Sequence, residues 1–366
     1  MKILRKYALR ELIVPFLFSL GIFTFMFLVG NLVRLADLFL NKGVNILDVG
    51  KLLLLLMPKL LGFTIPMSAL TAVLLVFGGF AQSNEITAMR ASGVNVIRVM
   101  IPVILVSFLL SGFSLFLNDQ LISKTRFAYR KVMKEIFLSK PSAYLEPGRF
   151  IKEFKDYVFL IQEINGNQVK GVTIYQTEAG KPIRTIIAES GEILSSPQDK
   201  TLSLKLYNGT IDEANPEDPD VFYKLDFESF VLPPLYVGDD ASQQQGEIAK
   251  KTKDMSIDEL LTKLPQEQEL KMRRKIKTEM YHKITISLAP LIFVLVGLPL
   301  ALITRRGEPI ISFSIALALI CVYYVFFVLS DTLAISGGIP AEIALWLPNI
   351  VLGGVGCYLL ARVVRS

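Results

Sequence analysis

A single histidine and two cysteines are all this 366-residue chain holds of the side chains that most often bind metals or act as activated nucleophiles. With His282 alone, neither a histidine-based metal cluster nor a Ser-His-Asp triad can be assembled. No GxxxxGKS/T phosphate loop is present, so the chain does not hydrolyse ATP by itself. Both cysteines, Cys321 and Cys357, fall inside apolar runs and read as small core-filling thiols. The hydrophilic middle of the chain has none, which excludes a disulfide framework there. Mid-span carboxylates are also missing. Only Asp331 comes near, at the outer end of an apolar run, which argues against an ion-coupled carrier. A net charge of +6 with no basic stripe interleaved with aromatics gives no nucleic-acid surface. No metal and no cofactor is expected.

What the chain has instead is apolar length. Hydrophobic residues make up 52% of it and the mean hydropathy is +0.48. They are gathered in runs near the roughly 20 residues needed to cross hydrocarbon. Six spans can be drawn: Leu12–Val33, Leu52–Phe80, Val99–Leu117, Ile284–Ile303, Ile310–Leu329 and Ile343–Leu360. Prolines within them, such as Pro58 and Pro66, are tolerable because neighbouring helices satisfy the freed backbone groups. The first run is too long for a signal-peptide core and is expected to stay as an anchor. Basic residues mark one side: Lys2 to Arg10 before the first span, Arg90 and Arg98 between the second and third, Arg305 and Arg306 between the fourth and fifth, Arg362 and Arg365 after the sixth. The positive-inside rule makes that side cytoplasmic, with both termini on it.

Between the third and fourth spans lies a hydrophilic stretch with about 24 basic and 26 acidic residues, expected outside the cytoplasm. It reads as β. Short segments rich in β-branched and aromatic residues (Arg149–Phe154, Tyr157–Ile164, Val169–Tyr175, Ile183–Ile187, Leu202–Tyr207, Phe222–Phe230) are parted by turn signals at Asn165-Gly166-Asn167, Glu178-Ala179-Gly180, Asn208-Gly209 and Asn215-Pro216. Such spacing suggests a sandwich, an incomplete barrel or a jelly roll. The acidic pairs Asp212-Glu213 and Glu217-Asp218 read as solvated loop. After a polar linker at Asp239–Gln245, Ser256 and Glu259 form a capping box, and a basic amphipathic segment, Lys271–His282, leads back to the apolar runs. The fold class is therefore membrane α-helical, three spans plus three, with an inserted β-jellyroll-like domain. The expected divisions are 1–118, 119–279 and 280–366, with a short polar helix at about 82–93.

Two groups of residues invite a function. The segment Gln82–Asn95 is too polar to span and too helical for plain loop; Ser83 or Asn84 can cap it, Gly93 can end it, and Glu85 sits in its first turn. It reads equally as an interfacial tie between two spans or as a helix that docks on a cytoplasmic partner. Near the outer boundary stand Arg34, Lys42, Lys51 and Lys59. Arg34 and Lys51 taken singly read as snorkelling span ends. Lys59 lies about 12 Å beyond Lys51 along the helix, a costly depth unless it faces a cavity or an anionic partner. Lys124, Arg126 and Arg130 read either as an extension of the same cationic belt or as a solvated face.

The whole pattern resembles the LptF/LptG permeases of the lipopolysaccharide-export ABC transporter. The motifs that carry the resemblance are Asn84-Glu-Ile-Thr-Ala-Met-Arg-Ala-Ser-Gly93, Glu279-Met-Tyr-His-Lys-Ile284, Arg305-Arg306-Gly307 and Trp346-Leu-Pro-Asn349. Asn41-Lys-Gly-Val44 and Phe63-Thr-Ile-Pro-Met67 look more like LptF than LptG. The resemblance implies a non-catalytic half-transporter in the bacterial inner membrane, paired with its paralogue and two copies of the cytoplasmic ATPase LptB, with LptC and LptA beyond it in the periplasm. It makes the polar helix a coupling helix with Glu85 and Arg90 towards the ATPase. It gives Arg34, Lys42 and Lys59 to the phosphates of lipopolysaccharide. The alternative is an ABC-associated permease that transmits force to a periplasmic partner without carrying lipid, against which the lysine inside span two argues.

Overall fold

The structure is a computed structural model describing residues 2–40, 43–139, 147–154, 156–177, 184–196, 201–214, 222–233, 250–304 and 308–365. Lys42, Arg305-Arg306-Gly307, Glu178-Ala179-Gly180, Asn215-Pro216, Glu217-Asp218 and Asp239–Gln245 lie outside the described residues. The chain divides into two compact units, Met1–Leu32 with Leu55–Phe127 and Lys250–Ser366, and Val33–Leu54 with Ala128–Ala249.

The first unit is a helical bundle. Its elements are α1 (Lys2–Leu40), α2 (Ile46–Gln82), α3 (Glu85–Ala91), α4 (Ile97–Phe116), a π-helical turn (Leu117–Leu121) leading into α5 (Ile122–Ser139), α6 (Ile257–Lys263), α7 (Leu270–Ser287), α8 (Ala289–Thr304), α9 (Pro309–Ser336), α10 (Ala341–Ala344) and α11 (Leu347–Arg365); α1, α2 and α5 run on into the second unit. Among the described residues, six helical stretches are long and apolar enough to cross a membrane, in agreement with the six expected spans. They are unevenly packed. The apolar window of α2 is 83% buried inside this chain and that of α1 only 11%. Thus α2 is the bundle's centre, where Leu70, Phe77 and Leu74 meet Phe293, Leu298 and Tyr323. Its small polar residues spend their hydroxyls locally: Ser68 on the Thr64 carbonyl at 2.7 Å, Thr71 on the Met67 carbonyl at 2.9 Å. Thr64 also meets Thr24 of α1 at 3.1 Å. Cys321 and Cys357, expected to fill the core, are exposed on α9 and α11 and fill none in this chain.

The second unit holds one six-stranded antiparallel sheet: β1 (Phe150–Phe154), β2 (Tyr157–Asn165), β3 (Gln168–Gln176), β4 (Arg184–Ser196), β5 (Thr201–Ala214) and β6 (Phe222–Val231), in sequential order. The topology is a meander. A small separate cluster packs Leu35, Leu38 and Leu52 of the first helical hairpin against Ile136.

A crease crosses this sheet. Interior positions along a flat strand recur every second residue. Here each of five strands takes one step of three at the same row: Ile161 to Ile164, Val169 to Val172, Ala188 to Gly191, Leu206 to Gly209 and Phe227 to Phe230. The pairs Ile161↔Val172, Val172↔Ala188, Ala188↔Gly209 and Gly209↔Phe227 border it on one side. Ile164↔Val169, Val169↔Gly191, Gly191↔Leu206 and Leu206↔Phe230 border it on the other. On the crease itself, Gly171 (φ 61°) and Asn208 (φ 51°) take the left-handed conformation. Both halves can then present their apolar residues to one core, with Phe159, Ile174, Ile186 and Leu206 nearly inaccessible.

This corrects the reading of Asn208-Gly209 as a hairpin turn. The left-handed preference is used, but to bend β5 mid-strand rather than to end it. Asp212-Glu213 is likewise strand rather than solvated loop, and Glu213 is ion-paired with Arg184 across from β4 at 2.5 Å. The turn at Gly166-Asn167 is where it was expected, closed by the pair Asn165↔Gln168. Gly171→Ala should cost the sheet about 1–2 kcal/mol, since it places a Cβ at positive φ. Faster backbone hydrogen exchange in β2 and β3 of the full chain, with the helices unchanged, checks it; unchanged β2–β3 protection would show the crease does not need the glycine.

Candidate functional site

The polar segment after α2 forms a compact helix with a firm end. Asn84 stands at its start with φ 60° and makes no side-chain cap, contrary to expectation. Ser83 instead turns its hydroxyl to the Gly79 carbonyl at 2.9 Å and to a Glu85 carboxylate oxygen at 3.1 Å. The C-terminal end is a Schellman motif: Gly93 N–H donates to the Arg90 carbonyl and Val94 N–H to the Met89 carbonyl, both at 2.9 Å, with Gly93 at φ 75°. Ile86 and Met89 are buried, so one face of α3 is fixed on the bundle while Thr87, Ala88 and Arg90 stay exposed and Glu85 half-exposed.

Two long-range hydrogen bonds and a ring contact hold this end together. Arg90 donates to the Val363 carbonyl in the last turn of α11 at 3.0 Å, and Arg5 of α1 to the Arg98 carbonyl at the start of α4, also at 3.0 Å. Tyr7 stacks on Phe80 with ring centroids 5.3 Å apart. Glu85 and Arg90 are therefore brought onto one short helix, with Arg90 committed to the C-terminal helix. Beside it, a cavity of about 350 Å³ opens among α2, α3, α8 and α11.

At the opposite ends of the spans the structure shows a cluster that the sequence reading missed. Lys283, buried on α7, donates to the Ser123 hydroxyl at 2.6 Å and to the Met255 carbonyl, and lies 3.7 Å from Asp119. Asp119, in the π-helical turn, accepts from the Ile257 N–H at 2.6 Å. Asn118 reaches the Ser287 hydroxyl at 3.2 Å. Three segments meet here: the π-helical turn between α4 and α5, the start of the returning α6 and the last turns of α7. The available signal was a lone lysine beside the fourth apolar run and an Asn-Asp pair after the third. Nearby, His282 faces Asp331 at 3.4 Å, and Asn349 links Tyr323 (3.0 Å) to the Thr285 carbonyl (2.8 Å).

The returning segment is capped as its sequence indicates. Glu259 N–H donates to the Ser256 hydroxyl at 3.3 Å, and Ser256 N–H to the Glu259 carboxylate at 3.2 Å. The hydrogen bond from Lys250, 2.5 Å away, is the main reason the Glu259 pKa is lowered. Its contribution is thus present above the ordinary glutamate range and is lost as pH falls through the depressed value. Both side chains are more than 40% exposed, so the pair is worth less than about 1 kcal/mol. Lys250→Met should flatten the acid-side fall in proteolytic protection of α6; an unchanged pH profile would count against the pair.

The sequence-derived cations are divided between the units. Arg34 is exposed on α1 in the unit that holds the sheet, and Lys59 is exposed on α2 in the helical unit, next to buried Leu60. Lys42 lies outside the described residues.

Residues 6–362 match the model of the family described as "Lipopolysaccharide export system permease LptF/LptG". The chain is also similar to the "Uncharacterized protein RP871" of Rickettsia prowazekii (strain Madrid E), 24% identical over 194 residues. That alignment covers 53% of this chain and spans about half, 54%, of the relative's length. A match over nearly the whole chain, on six apolar helices with an inserted antiparallel sheet, makes this a multi-pass membrane protein that belongs to the LptF/LptG family of lipopolysaccharide export permeases.

Proposed function

We propose that this chain is one of two permease subunits that draw lipopolysaccharide out of the bacterial inner membrane and pass it to a periplasmic bridge. The observation that carries the reading is α3, a short helix between two spans, pinned by Ile86, Met89 and Arg90, with the Glu85 carboxylate half-exposed. A helix fixed on one face and polar on the other can transmit a push to the spans. In this reading LptB docks on α3 at Glu85, with Arg90 holding the helix to α11. The end carrying both termini is cytoplasmic in this reading, which the positive-inside bias of the basic residues there supports. A paralogous six-span permease covers α1, of whose apolar stretch only 11% is buried within this chain. Arg34, Lys42 and Lys59 meet the lipid's phosphates, and the sheet connects to LptC and LptA. The chain leans to the LptF branch.

Co-expression with LptB and a candidate partner permease tests it. The expected result is a complex whose ATPase activity rises with lipopolysaccharide. Recovery of the chain alone under conditions that preserve the complex would overturn the proposal.

A further inference from the structure

The cavity beside α3 has a chemistry of its own. Apolar Ile86, Leu302 and Val363 line it together with Thr87, Arg90 and Arg362, which carry a hydroxyl and two guanidinium groups. No described residue lining it is acidic, so two arginines line one space without a carboxylate among them. Arg90 is anchored by its bond to the Val363 carbonyl and Arg362 is exposed. The last turns of α8 and α11 bring only partial negative charge, about half a unit per helix end and screened by water, which two full cations outweigh.

Position narrows the ligand. The cavity lies where α2 ends at Gln82, α8 at Thr304 and α11 at Arg365, the level at which spans leave hydrocarbon for headgroups. Ile303, which also lines it, is 48% exposed. A ligand there would meet both cationic and apolar side chains. Basic pockets between spans suit the phosphodiester of an anionic phospholipid, because guanidinium forks match phosphate oxygens and the acyl chains find the apolar wall.

We propose that this cavity binds the headgroup phosphate of one anionic phospholipid from the surrounding bilayer and so fastens α3 to α11. The inference requires only that the chain lies in a membrane and does not depend on which partner docks on α3.

Native mass spectrometry of the full chain in detergent micelles, titrated with phosphatidylglycerol and separately with phosphatidylethanolamine, reads it directly. The wild type should hold one phosphatidylglycerol in preference to phosphatidylethanolamine. Arg362→Gln should weaken that binding about fivefold, at roughly 1 kcal/mol per basic residue. Arg362→Lys should keep most of it. Arg98→Gln, at an exposed arginine of the same end outside the cavity lining, should leave it within about twofold. Equal binding of the two lipids, or equal losses in Arg362→Gln and Arg98→Gln, would sink the proposal. Displacement by millimolar inorganic phosphate would assign the cavity to free phosphate instead. Complete loss of lipid on adding purified LptB would show the cavity to be part of a protein interface and overturn the proposal.

Discussion

Lys283→Met should destabilise the helical unit by about 3–5 kcal/mol, the range found when one partner of a buried ion pair is removed. The size follows from what is left behind. Lys283 and Asp119 have side chains only 5% and 15% accessible, so without the ammonium the Asp119 carboxylate keeps the Ile257 N–H but loses its nearest positive charge. The Met255 carbonyl and the Ser123 hydroxyl lose a donor at the same time. Asp119→Asn retains an acceptor for Ile257 and removes the charge. The double variant Lys283→Met/Asp119→Asn should therefore regain a large part of the loss, a coupling that a double-mutant cycle measures. Protease susceptibility of residues 250–263 in the full chain is the readout. A single variant within about 1 kcal/mol of wild type would show that the pair does not clamp these segments.

Glu85→Ala should weaken the docking of LptB by about 30-fold or more, as expected for truncating one side of a charge pair at an interface, most of it in the dissociation rate. The helix should survive the change. Its stability rests on Ile86, Met89, the Schellman end and the Arg90–Val363 bond, while Glu85 gives up the contact from Ser83 and a side-chain hydrogen bond with Tyr7 of α1. Binding kinetics of LptB to the reconstituted complex separate the two effects, with hydrogen exchange in α3 reporting the fold. Unchanged affinity would remove Glu85 from the coupling role.

The helices were legible because crossing a membrane leaves a signal that single residues hardly disturb: an apolar run and basic ends. Packing among them was not legible. Nothing in the composition of α1 or α2 says that one is a centre and the other a margin, since both carry a long run of similar hydropathy and the difference lies in what each touches. The strands were found in number and place, but β4 and β5 run well past the segments read for them. There the alternation loses its phase at the crease, and a left-handed Asn-Gly pair reads locally as a turn. Of the candidate site, the polar helix and Glu85 were visible through the closing Gly93 and through charge, although neither Ser83 nor Asn84 caps the helix as expected. The Arg90–Val363 contact joins positions 273 residues apart, and Lys283 with Asp119 joins 164, so only the fold could bring them together.

The crease also acts as a register lock. In an even sheet a strand can slide by two residues and still turn its apolar side inward, losing little besides its ends. Here a two-residue slide would set the three-step of one strand against the two-step of its neighbour, turning interior residues such as Val172 or Leu206 outward on one side of the row. Five strands carrying the same phase break thus admit one alignment. A meander of simple hairpins gains through that single row a uniqueness of pairing that its topology alone would not confer.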